Sequence, residues 1–317
     1  IKADTYYSSL PTTLQNMVLK VRSGIWEEKN ADENKQSWET DYAKKYRVQI
    51  YEPYNEPEAA AKALGINAHT NLNNPTGIYT FGRNAIYVLV EGEVKEGASL
   101  YLASYESHNQ LDGYNEGKEL HPGLNVIFNY SDNSNLCINY VVHTFDANKK
   151  GEDARLRKLS DYPALKIHIE GGTLNGYFDK SRHTNEDWVK MQKNLLKHEI
   201  VNVKGEHAMF HMHRDKVVSI CPNNIYESID WWDTIVLWEK ELMGATKYAD
   251  RWNNPMLCVD GEGQYMFATW YYTYYEYSTL PDILPWEKVR NNPGYVWGPA
   301  HEIGHMNQGA INIVSCT

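Results

Sequence analysis

Short hydrophobic runs, separated by turn residues, characterise the chain between residues 74 and 142. Asn, Asp, Gly and Pro cluster between the runs, and these residues mark turns. Several short strands at such spacing are typical of a β-sandwich. The predicted strands are Ala85–Glu91, Ser99–Tyr105, Leu124–Tyr130 and Leu136–Val142.

Helical spacing of apolar residues comes before this β-rich part, and strands and helices alternate after it. The early helical segments are Leu14 to Val21 and the Ala-rich stretch Glu56–Leu64. The later strands are predicted over Ala164–Glu170, Ile200–Val203 and Ala208–His213, and the later helices over Glu186–His198 and Ile225–Leu242.

A polar stretch without periodic hydrophobicity, residues 147–153, is the best linker candidate. We therefore predict an α+β multidomain protein with a boundary near residue 155. Residues 1–155 would form a β-sandwich-like accessory domain with a leading helical segment, and residues 156–317 a second domain.

Composition and charge exclude several classes of protein. The 317 residues include 31 Lys and Arg and 41 Asp and Glu, which gives a net charge of −10. This negative charge disfavours nucleic acid as a partner. No apolar run approaches the roughly 18 residues of a membrane-spanning helix. The cysteines form no C-x-x-C pair, which argues against a zinc knuckle or a thioredoxin-like centre; they are Cys137, Cys221, Cys258 and Cys316.

The pentapeptide His301-Glu302-Ile303-Gly304-His305 carries the clearest chemistry. On a helix the two histidines share one face and can bind one metal ion, for which zinc is the expected choice. Glu302 could then take a proton from a water molecule as the nucleophile forms. Gly298-Pro299 precedes the motif and favours a helix start. Gly304 costs helix propensity, about 1 kcal/mol relative to Ala, but allows close approach of neighbouring backbone.

The residues around this motif extend the similarity. Tyr295–Gln308, together with Lys166–Gly172 and Asn175–Phe178, resembles the enhancin-like metallopeptidases of the gluzincin clan. The resemblance spans roughly Leu159 to Thr317. It implies the front part of a thermolysin-like zinc peptidase domain, with His301 and His305 as zinc ligands and Glu302 as general base.

The resemblance also implies a third zinc ligand, a glutamate on a following helix, shortly after Gly309–Asn312. The chain has no carboxylate after His305 and ends at Thr317. We therefore expect this ligand to lie beyond the chain and the peptidase domain to be truncated. With two protein ligands, zinc binding and activity of this chain are expected to be weak.

The implied substrates are mucin-type O-glycosylated proteins, and the implied location is secreted or at the cell surface, with a lipid anchor left open. The aromatic run from Tyr265 to Tyr277 could form a wall of the cleft that contacts sugar, or could pack in the core. The substrate-binding candidates are Trp297, Trp270, Tyr271 and Tyr274.

Other patterns in the sequence indicate a function less specifically. A strand would place His207, His211 and His213 on one face, as a second metal site or as structural residues. The acidic residues of the long predicted helix could suggest a glycosidase carboxylate pair, but they are interpreted as its solvated surface; they are Asp230, Asp233, Glu239 and Glu241. Trp231, Trp232 and Trp238 are interpreted as core. Two other functions remain open: a glycan-binding module with an inactive peptidase fold, and a metallopeptidase of unglycosylated proteins.

Overall fold

The computed structural model describes residues 5–10, 14–15, 17–18, 45–65, 71–80, 85–105, 117–128, 133–146, 148–149, 151–244, 246 and 254–307. Of the helix predicted over Leu14 to Val21, residues 14–15 and 17–18 are described and helical, and the rest lies outside these residues. The expected ligand segment after Gly309 also lies outside them. Among the described helices, none is both long enough and apolar enough to cross a membrane.

The described chain combines helices with three β-sheets, which confirms the α+β class. The helices are α1 (Thr5–Ser9), α2 (Pro57–Leu64), α3 (Asn185–Asn194), α4 (Arg214–Ile220), α5 (Ile225–Leu242), α6 (Leu280–Ile283), α7 (Trp286–Asn291) and α8 (Trp297–Asn307). Single 3-10 turns span Lys45–Arg47, Gly151–Ala154, Leu159–Asp161 and Pro293–Val296.

Eight strands precede residue 155, and they contain all four predicted there, with ends shifted by a few residues. They are β1 (Val48–Tyr51), β2 (Tyr54–Asn55), β3 (Asn74–Tyr79), β4 (Ile86–Glu91), β5 (Ala98–Tyr105), β6 (Lys118–Glu119), β7 (Gly123–Ile127) and β8 (Asn135–Val142). The later strands are β9 (Leu165–Glu170), β10 (Thr173–Leu174), β11 (Phe178–Asp179), β12 (Ile200–Lys204), β13 (Ala208–His213), β14 (Met256–Gly261), β15 (Met266–Ala268) and β16 (Thr273–Glu276).

Two antiparallel sheets carry the first part of the fold. Sheet A has the order β1-β9-β4-β7, and sheet B has the order β10-β3-β8-β5-β6 with β2 parallel to β8. The strands β9 and β10, at residues 165–174, therefore belong to the same sheets as strands from before residue 155. This pairing favours a boundary after residue 174, and the division near 155 stays a prediction.

Sheet C is mixed and has the order β11-β12-β13-β14-β16-β15. Its centre is parallel, since β13 pairs with β14 and β14 with β16 in the same direction. The last strand, β15, pairs antiparallel with β16 and lies at the edge of the sheet. Helix α8 packs against β15 and β16, so this edge positions the His-Glu-x-x-His motif.

One hydrophobic cluster joins the three sheets to the helices α5 and α8. It includes one fully buried side chain from each of these five parts: Val88, Ile138, Phe210, Trp232 and Ile303. The motif helix is therefore continuous with the main core, and its orientation depends on packing over the whole described chain.

Two helices depart from the sequence prediction. Helix α3 starts at a capping box of Thr184 and Asp187, but it ends at Asn194 rather than at residue 198. The side chain of Asn175 accepts hydrogen bonds from the backbone of Lys197 and His198 and so turns the chain away. On α5, Trp232 is buried as expected, but Trp238 is 54% exposed, so its assignment to the core is wrong.

Candidate metal centre

Helix α8 carries the motif, as the sequence predicts. Pro299 lies in its first turn, where a missing backbone N–H costs no hydrogen bond. A Cβ atom on Gly298 would lie 2.7 Å from the Met266 sulfur, so this glycine lets the helix approach β15. A Cβ atom on Gly304 would meet nothing closer than 3.9 Å, so the close approach is at Gly298 rather than at Gly304.

The two imidazoles of the motif converge. His301 Nε2 and His305 Nε2 are 3.0 Å apart, and the rings are nearly perpendicular, with centroids separated by 4.5 Å. Two nitrogen ligands at 2.0 to 2.1 Å from one tetrahedral zinc ion lie about 3.3 Å apart. Both side chains are exposed at this face of α8. The pair therefore fits two ligand positions of a zinc ion.

Trp297, one turn before His301, stacks on its imidazole. The ring centroids are 4.7 Å apart and the planes are inclined by 16°. One face of the indole is thus occupied by the first candidate ligand, although 69% of Trp297 is exposed. The predicted contact of this tryptophan with substrate would have to use the remaining face.

Glu302 follows His301 directly on α8 and, unlike the two histidines, is buried. It is 8% exposed and lines a cleft of about 500 Å³ beside the two imidazoles. A carboxylate at the wall of a metal-binding cleft can accept a proton from water there. The residues that line this cleft are Met266, Phe267, Ala268, Thr269, Trp270, His301, Glu302 and His305.

The expected third ligand is not among the residues the structure describes. Over those residues, no group of three or more His, Cys, Asp and Glu side chains could hold a metal ion. The segment Gly309–Asn312, after which the resemblance places a glutamate, lies outside them.

The aromatic run divides between the cleft and the core. Trp270 lines the cleft and is 62% exposed. Tyr274 is buried, with its ring stacked on Phe267 and its hydroxyl donating to the Glu262 carbonyl. Tyr271 packs against the same small cluster as Tyr274, and neither tyrosine is among the residues that line the cleft. Of the four substrate-binding candidates, the structure brings only Trp270 into the cleft.

The opposite side of α8 rests on α5 through a polar contact that the sequence did not reveal. The Asn307 amide Nδ2 donates to Glu239 Oε2 at 2.7 Å, and Asn307 is buried. Burial raises the pKa of Glu239 to about 7, and the hydrogen bond from Asn307 opposes the rise only in part. The two residues are separated by 68 positions, so no local pattern links them.

A second acidic residue of α5, Asp233, is also buried rather than solvated. Its carboxylate accepts hydrogen bonds from the backbone N–H groups of Glu206, His207 and Ala208, at 2.7 to 2.9 Å, and from Lys180 Nζ. It thereby fixes the turn that leads into β13. For Asp233 and Glu239, the interpretation as solvated helix surface is wrong.

The three histidines near β13 have separate environments. His211 Nδ1 lies 2.8 Å from Asn202 Oδ1 in the core, whereas His213 Nδ1 lies 2.9 Å from Asp260 Oδ1. The hydrogen bond to Asp260 raises the pKa of His213, and burial lowers the pKa of His207. These contacts support structural roles. The cysteines Cys137, Cys221 and Cys258 are buried and not disulfide-bonded.

An imidazole pair and a carboxylate on one helix, beside the edge strand of a mixed sheet, are the features of a metallopeptidase site. Residues 171–316 match the family described as Peptidase M60, enhancin and enhancin-like. The resemblance seen in the sequence is thus confirmed over that part of the chain, which is similar to the enhancin-like M60 peptidases.

Solved structures show the same similarity. A metallopeptidase in complex with Tn antigen is 31% identical, with 84% of this chain and 48% of that chain covered, at a TM-score of 0.70. A metallopeptidase from Bacteroides thetaiotaomicron is 28% identical over 96% of this chain and 48% of that chain, at 0.73. A conserved protein of unknown function from Bacillus anthracis str. Ames is 25% identical over 83% and 51%, at 0.64.

The chain spans about half the length of these solved relatives. No curated protein is similar enough to this chain to count as a match.

Proposed function

We propose that this protein is a zinc-dependent endopeptidase that cleaves mucin-type O-glycosylated proteins. The observation that carries the proposal is the convergence of His301 Nε2 and His305 Nε2, 3.0 Å apart, beside the Glu302 carboxylate in one cleft. The metallopeptidase relatives support the same class of reaction.

His301 and His305 would hold the zinc ion together with a third ligand from outside the described residues. Bound there, zinc would supply a Lewis acid for the peptide carbonyl and for water. Glu302 would take a proton from the attacking water as the oxygen–carbon bond forms. It would then pass the proton to the amide nitrogen as the carbon–nitrogen bond breaks.

The edge strand β15 would hold the substrate chain across the cleft. Met266 to Ala268 pair with β16 on one side, and no strand pairs with the other side among the described residues. An extended peptide could add there through main-chain hydrogen bonds.

Sugar recognition is proposed for the exposed indole of Trp270, at the carboxyl end of β15. An aromatic face stacks on the C–H side of a sugar ring. A metallopeptidase relative was solved in complex with Tn antigen, which supports glycan contacts in this protein. We accordingly propose a secreted or cell-surface location, where mucin-type glycoproteins are found, and leave a lipid anchor open.

The test compares a defined O-glycopeptide with its bare counterpart, both offered to the full-length protein with added zinc. We expect cleavage of the glycopeptide and little cleavage of the bare peptide. Equal cleavage of both would favour a peptidase of unglycosylated proteins.

A glycan-binding module with an inactive peptidase fold is the alternative of a different class. It is favoured by the lack of a complete ligand set within the described residues. Elemental analysis of the purified full-length protein separates the two functions, because an active enzyme should contain about one zinc ion per chain. Far less zinc, with mucin binding retained, would support the binding module.

A further inference from the structure

A hydrogen bond between Asn307 and Glu239 links the last turn of α8 to α5, with Asn307 buried and Glu239 partly exposed. Asn307 is 4% exposed, and its amide nitrogen donates to Glu239 Oε2 at 2.7 Å. A buried amide without a partner would cost free energy, and a hydrogen bond to a carboxylate is stronger than one between neutral groups. The pair therefore fixes how the end of α8 sits on α5.

The position of this contact relates it to one of the two imidazoles. Asn307 follows His305 by two residues, and Gly304 comes directly before it. The Glu239 carboxylate lies over Gly304, since a Cβ atom there would be 3.9 Å from Oε2 and 4.0 Å from Oε1. The carboxylate thus covers the turn that carries His305, on the side away from the cleft.

His301 is oriented differently, through the stacked indole of Trp297. Neighbouring groups that orient a metal ligand typically change metal affinity by about 10- to 100-fold when they are removed. The turn with His305 is held by the Glu239–Asn307 hydrogen bond together with Met306, which is buried in the main core.

We propose that Glu239 is a positioning residue of the metal centre. Acting through Asn307, it fixes the last turn of α8 so that His305 Nε2 stays directed at the point shared with His301 Nε2. This inference rests on the proposed function, because it names a residue that supports the same zinc site from the far side of its helix.

The test replaces Glu239 with Ala and, separately, with Gln in the full-length protein, which is the parent chain for these comparisons. Glutamine keeps an oxygen that can accept from Asn307, whereas alanine removes the acceptor. Glu241→Ala, at an exposed position of the same helix, is the matched control. Zinc affinity is measured by competition with a chromophoric chelator, and backbone hydrogen exchange of α8 is measured in the metal-free proteins.

We expect Glu239→Ala to lower zinc affinity about 10- to 100-fold. In the metal-free protein it should speed exchange in the last turn of α8 about tenfold or more. Glu239→Gln should restore both properties to near those of the parent chain, and Glu241→Ala should change neither. Rescue by glutamine distinguishes positioning from a loss of general stability.

Unchanged affinity and unchanged exchange in Glu239→Ala would overturn the inference, as would equal losses in Glu239→Gln and Glu239→Ala. If the parent chain binds no zinc, the exchange measurement alone decides the role of Glu239. In that event accelerated exchange would support the fastening of α8 while the metal site of the proposed function fails, so the two failures are distinguishable.

Discussion

The two flanks of helix α8 differ in exposure and in chemistry. On the cleft flank, His301 and His305 are exposed and face the edge strand with Trp270. On the α5 flank, Ile303 is fully buried and Asn307 nearly so. The two proposed metal ligands are therefore at an open surface, and the opposite flank of their helix packs in the core.

The two carboxylates at α8, Glu302 and Glu239, also differ in their surroundings. Glu302 lines the cleft, whereas Glu239 is held on α5 and has a pKa raised to about 7 by burial. Burial raises the pKa of Tyr275 in the core, and the charges of Glu302 and Glu239 add to the rise. A carboxylate with a perturbed pKa near a candidate site is often taken as the catalytic one. The roles proposed above give catalysis to Glu302 and support to Glu239.

The largest effect is expected from Glu302→Gln on the cleft flank. The substitution removes the proton acceptor and keeps the size of the side chain, so turnover of the O-glycopeptide should fall by roughly 10² to 10⁴. Zinc affinity should be unchanged because both imidazoles remain. Glu239→Gln is the control, with turnover within a few-fold of the parent protein. Retained turnover in Glu302→Gln would refute the proposed role.

On the α5 flank, the raised pKa of Glu239 predicts a dependence of stability on pH. The folded protein binds this proton more tightly than the unfolded chain, so the stabilising contribution is complete below pH 4.5 and is lost as the pH rises through about 7. Solvent screens this partly exposed carboxylate, so the difference should be well below the about 3 kcal/mol that the whole shift would give. Urea unfolding from pH 4.5 to 8 should show this fall in the parent chain.

Glu239→Gln should remove that part of the pH dependence, because glutamine does not titrate. The quantity to compare is the difference in the free energy of unfolding between Glu239→Gln and the parent chain. The contributions of the histidines and the other carboxylates cancel in this difference. A difference that is independent of pH would show that Glu239 titrates in the folded protein as it does in the unfolded chain.

The sequence predicts the cleft flank well and the α5 flank poorly. The helix, both imidazoles and Glu302 follow from residues within one pentapeptide, and α5 follows from its own periodicity. The contact between Glu239 and Asn307 joins positions 68 residues apart. The edge strand β15 was not predicted from its own residues and is defined by its pairing with β16. Such features depend on tertiary packing, which local patterns do not encode.

Tertiary packing also decides the partners of strand β9. The hydrophobic pattern predicts a strand at residues 165–170, but it does not predict that this strand pairs with β1 and β4 from the first half of the chain. Likewise, the aromatic run could not be divided in advance into the exposed Trp270 and the buried Tyr274. Trp270 lies in the connection between β15 and β16, whereas Tyr274 lies in β16, and the ends of these strands depend on their pairing.

A smaller effect is expected at the rim of the cleft. Trp270→Ala should raise the KM for the O-glycopeptide about tenfold with little change in kcat, because it removes a sugar-stacking surface and no reacting group. Trp238→Ala is a matched control, since this tryptophan is also exposed but is not among the residues that line the cleft. If both variants behave alike, Trp270 has no special part in sugar recognition.

The smallest effects are expected at the two glycines of α8, Gly298 and Gly304. They differ in the space available to an added Cβ atom. Gly304→Ala should raise the free energy of unfolding by up to about 1 kcal/mol, because alanine favours the helix and its Cβ atom would meet nothing closer than 3.9 Å. Gly298→Ala gains the same propensity but places a Cβ atom 2.7 Å from the Met266 sulfur. Chemical denaturation should therefore show stabilisation for Gly304→Ala and none for Gly298→Ala. Equal stabilisation would mean that the Met266 side chain moves aside without cost. The packing of α8 against β15 would then not require the small size of Gly298.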